Sequence, residues 1–264
     1  MNRLILRLMR PYLLVALLVT AGATAYLFAA ASTVQHQLDA RGLPECVNPN
    51  DCWPTGGAMD AILGAELLAA TTPFLLGLLL GVPLFARERD EDTAAFVLTQ
   101  SVPARRWATA KLAWAAAAAA SCAAVVGLTY RLVMGRYTIL ANDLYELLEL
   151  LHLNNPLFML ALSASTAVTA GVIGLVAGGT ARTFLLSLVW WPVGLVVAFG
   201  GAALLGVPLA LLPIEAPRRE APPDDFTGDI ALMDGFAYVS TVALVLYIVA
   251  IVFAGRHRAA RAAV

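Results

Sequence analysis

The chain is a succession of uncharged apolar runs, several of them 19 residues or longer, separated by short charged segments. Coiled as a helix, such a run rises about 1.5 Å per residue and crosses the roughly 30 Å hydrocarbon core of a bilayer. This pattern constrains the fold more than any other feature, because backbone polar groups in lipid must be satisfied within the segment that carries them. The two-residue alternation of a membrane barrel is absent. With 60% of residues hydrophobic and 13% charged, an ordinary soluble globular fold is excluded. The expectation is an all-α polytopic membrane protein, with residues 1–264 forming a single transmembrane domain.

Six spans are predicted, at about residues 11–31, 61–86, 108–133, 157–178, 183–203 and 236–255. The first is longer than the roughly 7–15 apolar residues of a signal-peptide core, so it is expected to stay as an anchor. Before it, Arg3, Arg7 and Arg10 alternate with leucines over residues 1–10, the pattern of an interfacial amphipathic segment or of a basic flank. Pro11 then suits a first helical turn. Pro73 and Pro83 are expected to kink the second span. Ala115 to Ala120 in the third, and Ala170, Gly174 and Gly178 in the fourth, offer thin surfaces for close helix approach. A tight turn through Gly179 and Arg182 leads to the fifth span.

The connecting segments differ in character. Residues 32–59 are rich in Pro, Asn and Gly and read as a loop. Residues 142–153 set Asp143, Glu146 and Glu149 against a leucine face, a short amphipathic helix too acidic to span. Residues 204–235 combine a Pro-broken, re-entrant or interfacial segment with an acidic loop. With both termini, the 87–111 hairpin and Arg182 inside, twelve Lys and Arg lie inside and five outside, which fixes an N-in, C-in topology. That orientation puts Cys46 and Cys52 on the oxidising side, where a disulfide between them is expected, and Cys122 in an apolar run as a packing residue.

The most charged stretch is residues 84–112, LFARERDEDTAAFVLTQSVPARRWATAKL, a polar hairpin between the second and third spans. Its mixed signs exceed what a basic inner flank needs. Asp92 or Thr93 can cap a short helix running to Gln100 and bearing Phe96, and Pro103 can open the helix that carries Trp107 into the third span. A short surface helix tied at both ends to spans transmits a push to both.

This hairpin resembles the cytoplasmic segment of ABC-2 type permeases, particularly those of actinobacterial type. Thr93, Thr99, Gln100, Ser101, Val102, Arg105, Arg106, Trp107, Lys111 and Leu112 match that pattern, while Asp92 stands where the family usually has Gly and Leu98 where Trp is frequent. The resemblance implies the membrane subunit of an ATP-binding cassette exporter in a bacterial cytoplasmic membrane, paired with a second permease subunit. The energy would come from a cytoplasmic ATPase that binds ATP and Mg. The same resemblance puts Glu88, Asp90, Asp92, Thr93, Phe96 and Gln100, within the coupling region 87–107, against that ATPase.

The chain itself has no Gly-x-x-x-x-Gly-Lys-[Ser/Thr], and its single lysine, Lys111, lies at a span end, so it is not expected to be an ATPase, to hold a cofactor or metal, or to bind nucleic acid. An intramembrane hydrolase is disfavoured, because His36, His152 and His257 sit at loops or ends and neither HExxH nor GxSxG occurs. An ion-coupled secondary transporter needs ionisable groups near the midplane, and only Glu66 lies well within an apolar run. At about one and a half turns in, Glu66 is expected to reach the outer interface, with a cavity-facing role as the alternative. A non-transporting membrane anchor or assembly subunit is the remaining alternative. An apolar pathway with hydroxyl and aromatic groups would suit an antibiotic, drug, peptide or lipid-like cargo, with Glu66, Thr71, Thr72, Ser163, Thr166, Thr169 and Phe184 as candidate lining.

The cysteine pair gives a first test. Non-reducing peptide mapping of membrane-extracted protein should recover Cys46 and Cys52 in one cross-linked species and Cys122 as a free thiol. Alkylation of all three without reductant contradicts it.

Overall fold

The structure, a computed structural model, describes residues 2–41, 56–90, 103–135, 137, 156–177, 179–190, 196 and 241–254. The described residues contain helices and no strand. They are α1 (Asn2–Ala40), α2 (Gly57–Gly81), α3 (Pro83–Asp90), α4 (Ala104–Val133), α5 (Pro156–Ala177), α6 (180–190) and α7 (Thr241–Ala254). Four stretches are long and apolar enough to cross a membrane: Arg7–Ala40, Gly57–Ala86, Arg105–Val133 and Leu157–Ala177. The expected amphipathic helix at 142–153, the segment 204–235 and the cysteine pair Cys46 and Cys52 lie outside the described residues.

Contacts along the helices fix their relative directions. Met9, Tyr12 and Leu13 of α1 pack with Phe85, Trp107 and Ala108, at the end where α3 meets the start of α4. At the opposite end Val34 and Leu38 of α1 join Ala58 and Ile62 of α2, Tyr130 of α4 and Met159 of α5. Successive long helices therefore run antiparallel, and α2 and α5 run parallel.

Two boundaries correct the sequence reading. Residues 32–40, expected to begin a loop, continue α1 instead. Val34 and Leu38 extend the buried stripe of Leu27, Ala30 and Ala31, while the hydroxyls of Ser32 and Thr33 donate to the Ala29 carbonyl at 2.7 and 3.0 Å. Helical spacing thus persists to Ala40, and the hydroxyls between the stripe residues are satisfied on the helix itself. At the other end α1 passes through Pro11 without a break, so residues 2–10 are the same helix as the span rather than a separate segment. At Pro83, which has no amide hydrogen, the second apolar stretch keeps helical backbone through Val82 (φ -58°, ψ -50°) and continues as α3. Pro73, in contrast, lies inside α2. The turn at Gly179 forms as expected, with φ of 82°, and Thr183 closes it by donating its amide and its hydroxyl to the Gly179 carbonyl at 3.0 and 2.8 Å.

Small residues hold the core. On α4 the buried positions Ala108, Leu112, Ala115, Ala119, Cys122, Ala123, Val126 and Tyr130 recur at three- and four-residue intervals. Trp114, Val125, Leu128 and Leu132 are exposed. The alanine run therefore works through one face only. The closest crossing is between α2 and α5. A Cβ on Gly77 would stand 2.5 Å from the Thr166 Cβ and 2.8 Å from the Ser163 carbonyl oxygen. A Cβ on Gly81 would stand 2.8 Å from that of Ala170 and would also collide with the Ala167 carbonyl. Gly77-Leu-Leu-Leu-Gly81 is a small-xxx-small motif, and it meets the predicted Ala170 and Gly174 stripe of α5.

Gly77→Leu should therefore destabilise the folded protein by about 1–3 kcal/mol, the usual cost of overpacking a tight core. Gly22→Leu, at a position with open space around it, should not. Thermal unfolding in detergent reads both. Equal midpoints for wild type and Gly77→Leu would refute the crossing.

Candidate functional site

The features that sequence reasoning singled out fall at the two ends of the bundle. Where α3 meets α4, Lys111 is only 3% exposed. Its ammonium donates to the Leu84 carbonyl at 3.0 Å and forms an ion pair with Glu88, whose side chain is 13% exposed. The Nζ also lies 4.3 Å from the Trp107 ring centroid and 5.2 Å from that of Phe85. The two rings meet edge to face at 5.3 Å. A compact ammonium is expensive to bury, and this one is held by a carboxylate, a carbonyl and two aromatic faces.

The helices supply these groups through their spacing. Leu84, Phe85 and Glu88 stand one turn apart on α3, and Trp107 and Lys111 one turn apart on α4. The Pro103 carbonyl accepts the amides of Arg106 and Trp107 at 2.9 and 3.1 Å, which fixes the first turn of α4. The clamp thus welds both limbs of the charged hairpin together at its base. Glu88, expected at a partner contact, pairs with Lys111 within the chain. Asp90 ends α3, and Asp92, Thr93, Phe96 and Gln100 lie outside the described residues.

At the far end Glu66 is buried at 5% exposure, which overturns the expectation that it reaches the interface. Tyr130 donates to Glu66 Oε1 at 3.5 Å. Ala65 and Ala69 flank it on α2, within the core cluster formed with Val126 and Tyr130 of α4 and Met159 of α5. Nearby, Gln37 accepts the Ala58 amide at 3.2 Å and the Tyr137 hydroxyl donates to Gln35 at 2.8 Å, tying the extended end of α1 to its neighbours. Reading residues 32–59 as a loop concealed that tie.

The other candidate lining residues differ in placement. Thr71 and Phe184 are exposed, while Thr72, Ser163 and Thr166 are buried. Thr71, Thr72 and Thr166 donate to carbonyls of their own helices, at 2.8, 2.6 and 2.8 Å. Ser163 and Thr166 meet at the Gly77 crossing. Thr169 lies 3.4 Å from the Tyr247 hydroxyl, which also accepts Trp190 Nε1 at 2.9 Å, a link among α5, α6 and α7 that sequence reasoning missed. Its only trace in the sequence is an aromatic pair, Trp190 and Trp191, closing an apolar run. Among the described residues no group of three or more His, Cys, Asp or Glu could hold a metal.

Comparison with protein families matches residues 16–205 to the model described as ABC-2 membrane transporter related, a match that covers well over half of the chain. The chain belongs to that family. No curated protein and no solved structure matched it. For an ABC-2 membrane protein the four long apolar helices are those of a multi-pass membrane protein, and the buried pair Lys111–Glu88 lies at the base of the segment between the second and third of them.

The clamp makes a quantitative prediction. Lys111→Met or Glu88→Leu alone strands a buried charge and should cost about 3–5 kcal/mol, whereas the double variant should recover most of that loss. Thermal unfolding of the three proteins tests it. Additive losses in the double variant would show that the two groups act independently.

Proposed function

We propose that this chain is the membrane-spanning permease subunit of an ATP-binding cassette exporter in a bacterial cytoplasmic membrane, with six spans, both termini inside, and the hairpin 87–107 facing the cytosol. The observation that carries this reading is the family match over residues 16–205. A separate ATPase subunit binds ATP and Mg and does the hydrolysis. This chain carries none of that chemistry, and a second permease subunit, identical or related, completes the pathway. The cargo is amphipathic or lipophilic: an antibiotic, drug, peptide or lipid-like molecule.

The clamp supports a mechanism for coupling. A push delivered to residues 91–102 reaches α3 and α4 together, because Lys111 ties them by ion pair and hydrogen bond. From α3 it passes through Val82, whose amide donates to the Leu78 carbonyl at 2.9 Å, into α2. The tight packing of α2 on α5 carries it further, so the lever moves a block of helices rather than a single one. Two arrangements of that block, inward- and outward-facing, would be biased by the nucleotide state of the ATPase.

Co-purification tests the partnership. The wild-type chain should bring down its ATPase subunit, and Phe96→Asp or Thr93→Asp should abolish this without changing thermal unfolding. Undiminished association in both variants would remove the proposed contact.

A further inference from the structure

Glu66 is buried in the bundle; among the described residues its Oε2 has no hydrogen-bond partner and Tyr130 is the side chain that hydrogen-bonds its Oε1. The groups packed around this end come from every long helix: Leu27 and Val34 of α1, Ala65 and Ala69 of α2, Val126 and Tyr130 of α4, and Met159 of α5. The titratable ones among them are phenols, Tyr130 and Tyr137, and the Tyr137 hydroxyl donates to Gln35. Neither phenol supplies positive charge, and Glu66 forms no ion pair among the described residues.

No described residue supplies positive charge to this carboxyl, and a carboxyl in such surroundings calls for either a proton or a cationic group. A proton on Oε2 creates a donor that finds no acceptor among the described residues. A cationic group supplies the charge without that donor and also finds an aromatic ring and small apolar side chains to rest against.

We propose that Glu66 and Tyr130 form a recognition site for the cationic centre of a lipophilic amine or onium cargo, which enters in exchange for a proton. In that exchange the carboxylic O–H bond breaks, the proton leaves to water, and the carboxylate pairs with the incoming cation, so the site stays neutral throughout. This names the cargo class for the permease and rests on that reading. The small side chains of Ala65 and Ala69 leave room once α2 and α4 part.

The experiment is a fluorescence titration of the purified full-length chain in lipid nanodiscs, without any ATPase, using ethidium as the cation and Nile red as a neutral lipophilic control. Ethidium should bind saturably, be displaced by tetraphenylphosphonium, and bind more weakly as pH is lowered, because protons compete for the carboxylate. Glu66→Gln should weaken ethidium binding by about tenfold or more, and Tyr130→Phe by about two- to fivefold, with Nile red unaffected. The unfolding midpoint of Glu66→Gln should equal or exceed that of wild type, so that lost binding is not lost folding. Absence of saturable ethidium binding in the wild type, equal binding in Glu66→Gln, or parallel loss of Nile red overturns the proposal. Failure here with ATPase co-purification intact overturns the cargo class alone. Ethidium binding without ATPase association overturns the exporter reading instead.

Discussion

A lysine ammonium at the base of a hairpin, shut away from water, has to be neutralised and hydrogen-bonded where it sits. Lys111 meets that requirement through Glu88 and the Leu84 carbonyl, both on the opposite limb, and through the faces of Trp107 and Phe85. Stranding either charge is far costlier than replacing both, so the pair acts less as a source of stability than as a register mark. It permits one alignment of α3 on α4 and rejects those a turn away. The ends of α3 and α4 are thereby held together as one piece.

The rest of the bundle converts that local alignment into a stiff body. Gly77 and Gly81 let α2 come close enough to α5 that backbone atoms, not only side chains, form the contact. Alanines do the same along one face of α4. Contacts between backbones have few alternative packings, so displacement of α3 cannot be absorbed by side-chain rearrangement and has to move helices. The outward faces of α1, α6 and α7 carry large apolar side chains, among them Leu18, Leu185 and Val249, suited to hydrocarbon. Stiffness inside and apolar surface outside are what a membrane lever needs.

Much of this was legible in the sequence, and the failures have physical causes. Run length alone gave the four long helices, because hydrocarbon thickness sets that length. Gly179 marked a real turn, with its positive φ, whereas at Pro83 helical backbone continues through Val82 and the proline only withholds its own amide. The continuation of α1 to Ala40 was hidden because Ser32, Thr33, Gln35 and Gln37 resemble loop residues, although Val34 and Leu38 kept the helical interval. Glu66 was read from its depth in the run, whereas its burial depends on which face of α2 it occupies, and neighbours far along the chain decide that. Lys111 was noticed only as a motif match, because its partner lies 23 residues away and no local pattern announces the pair. The contact residues Thr93 and Phe96 remain assigned by resemblance.

Coupling through this hairpin requires that its tip face the cytosol, where an ATPase can reach it. A single cysteine at position 91, just beyond α3, reads that directly: Glu91→Cys in a chain with Cys46, Cys52 and Cys122 replaced by serine, probed with a membrane-impermeant maleimide. Labelling should be absent in intact cells and appear once the membrane is opened. Labelling in intact cells would contradict the cytosolic lever and the energy route built on it.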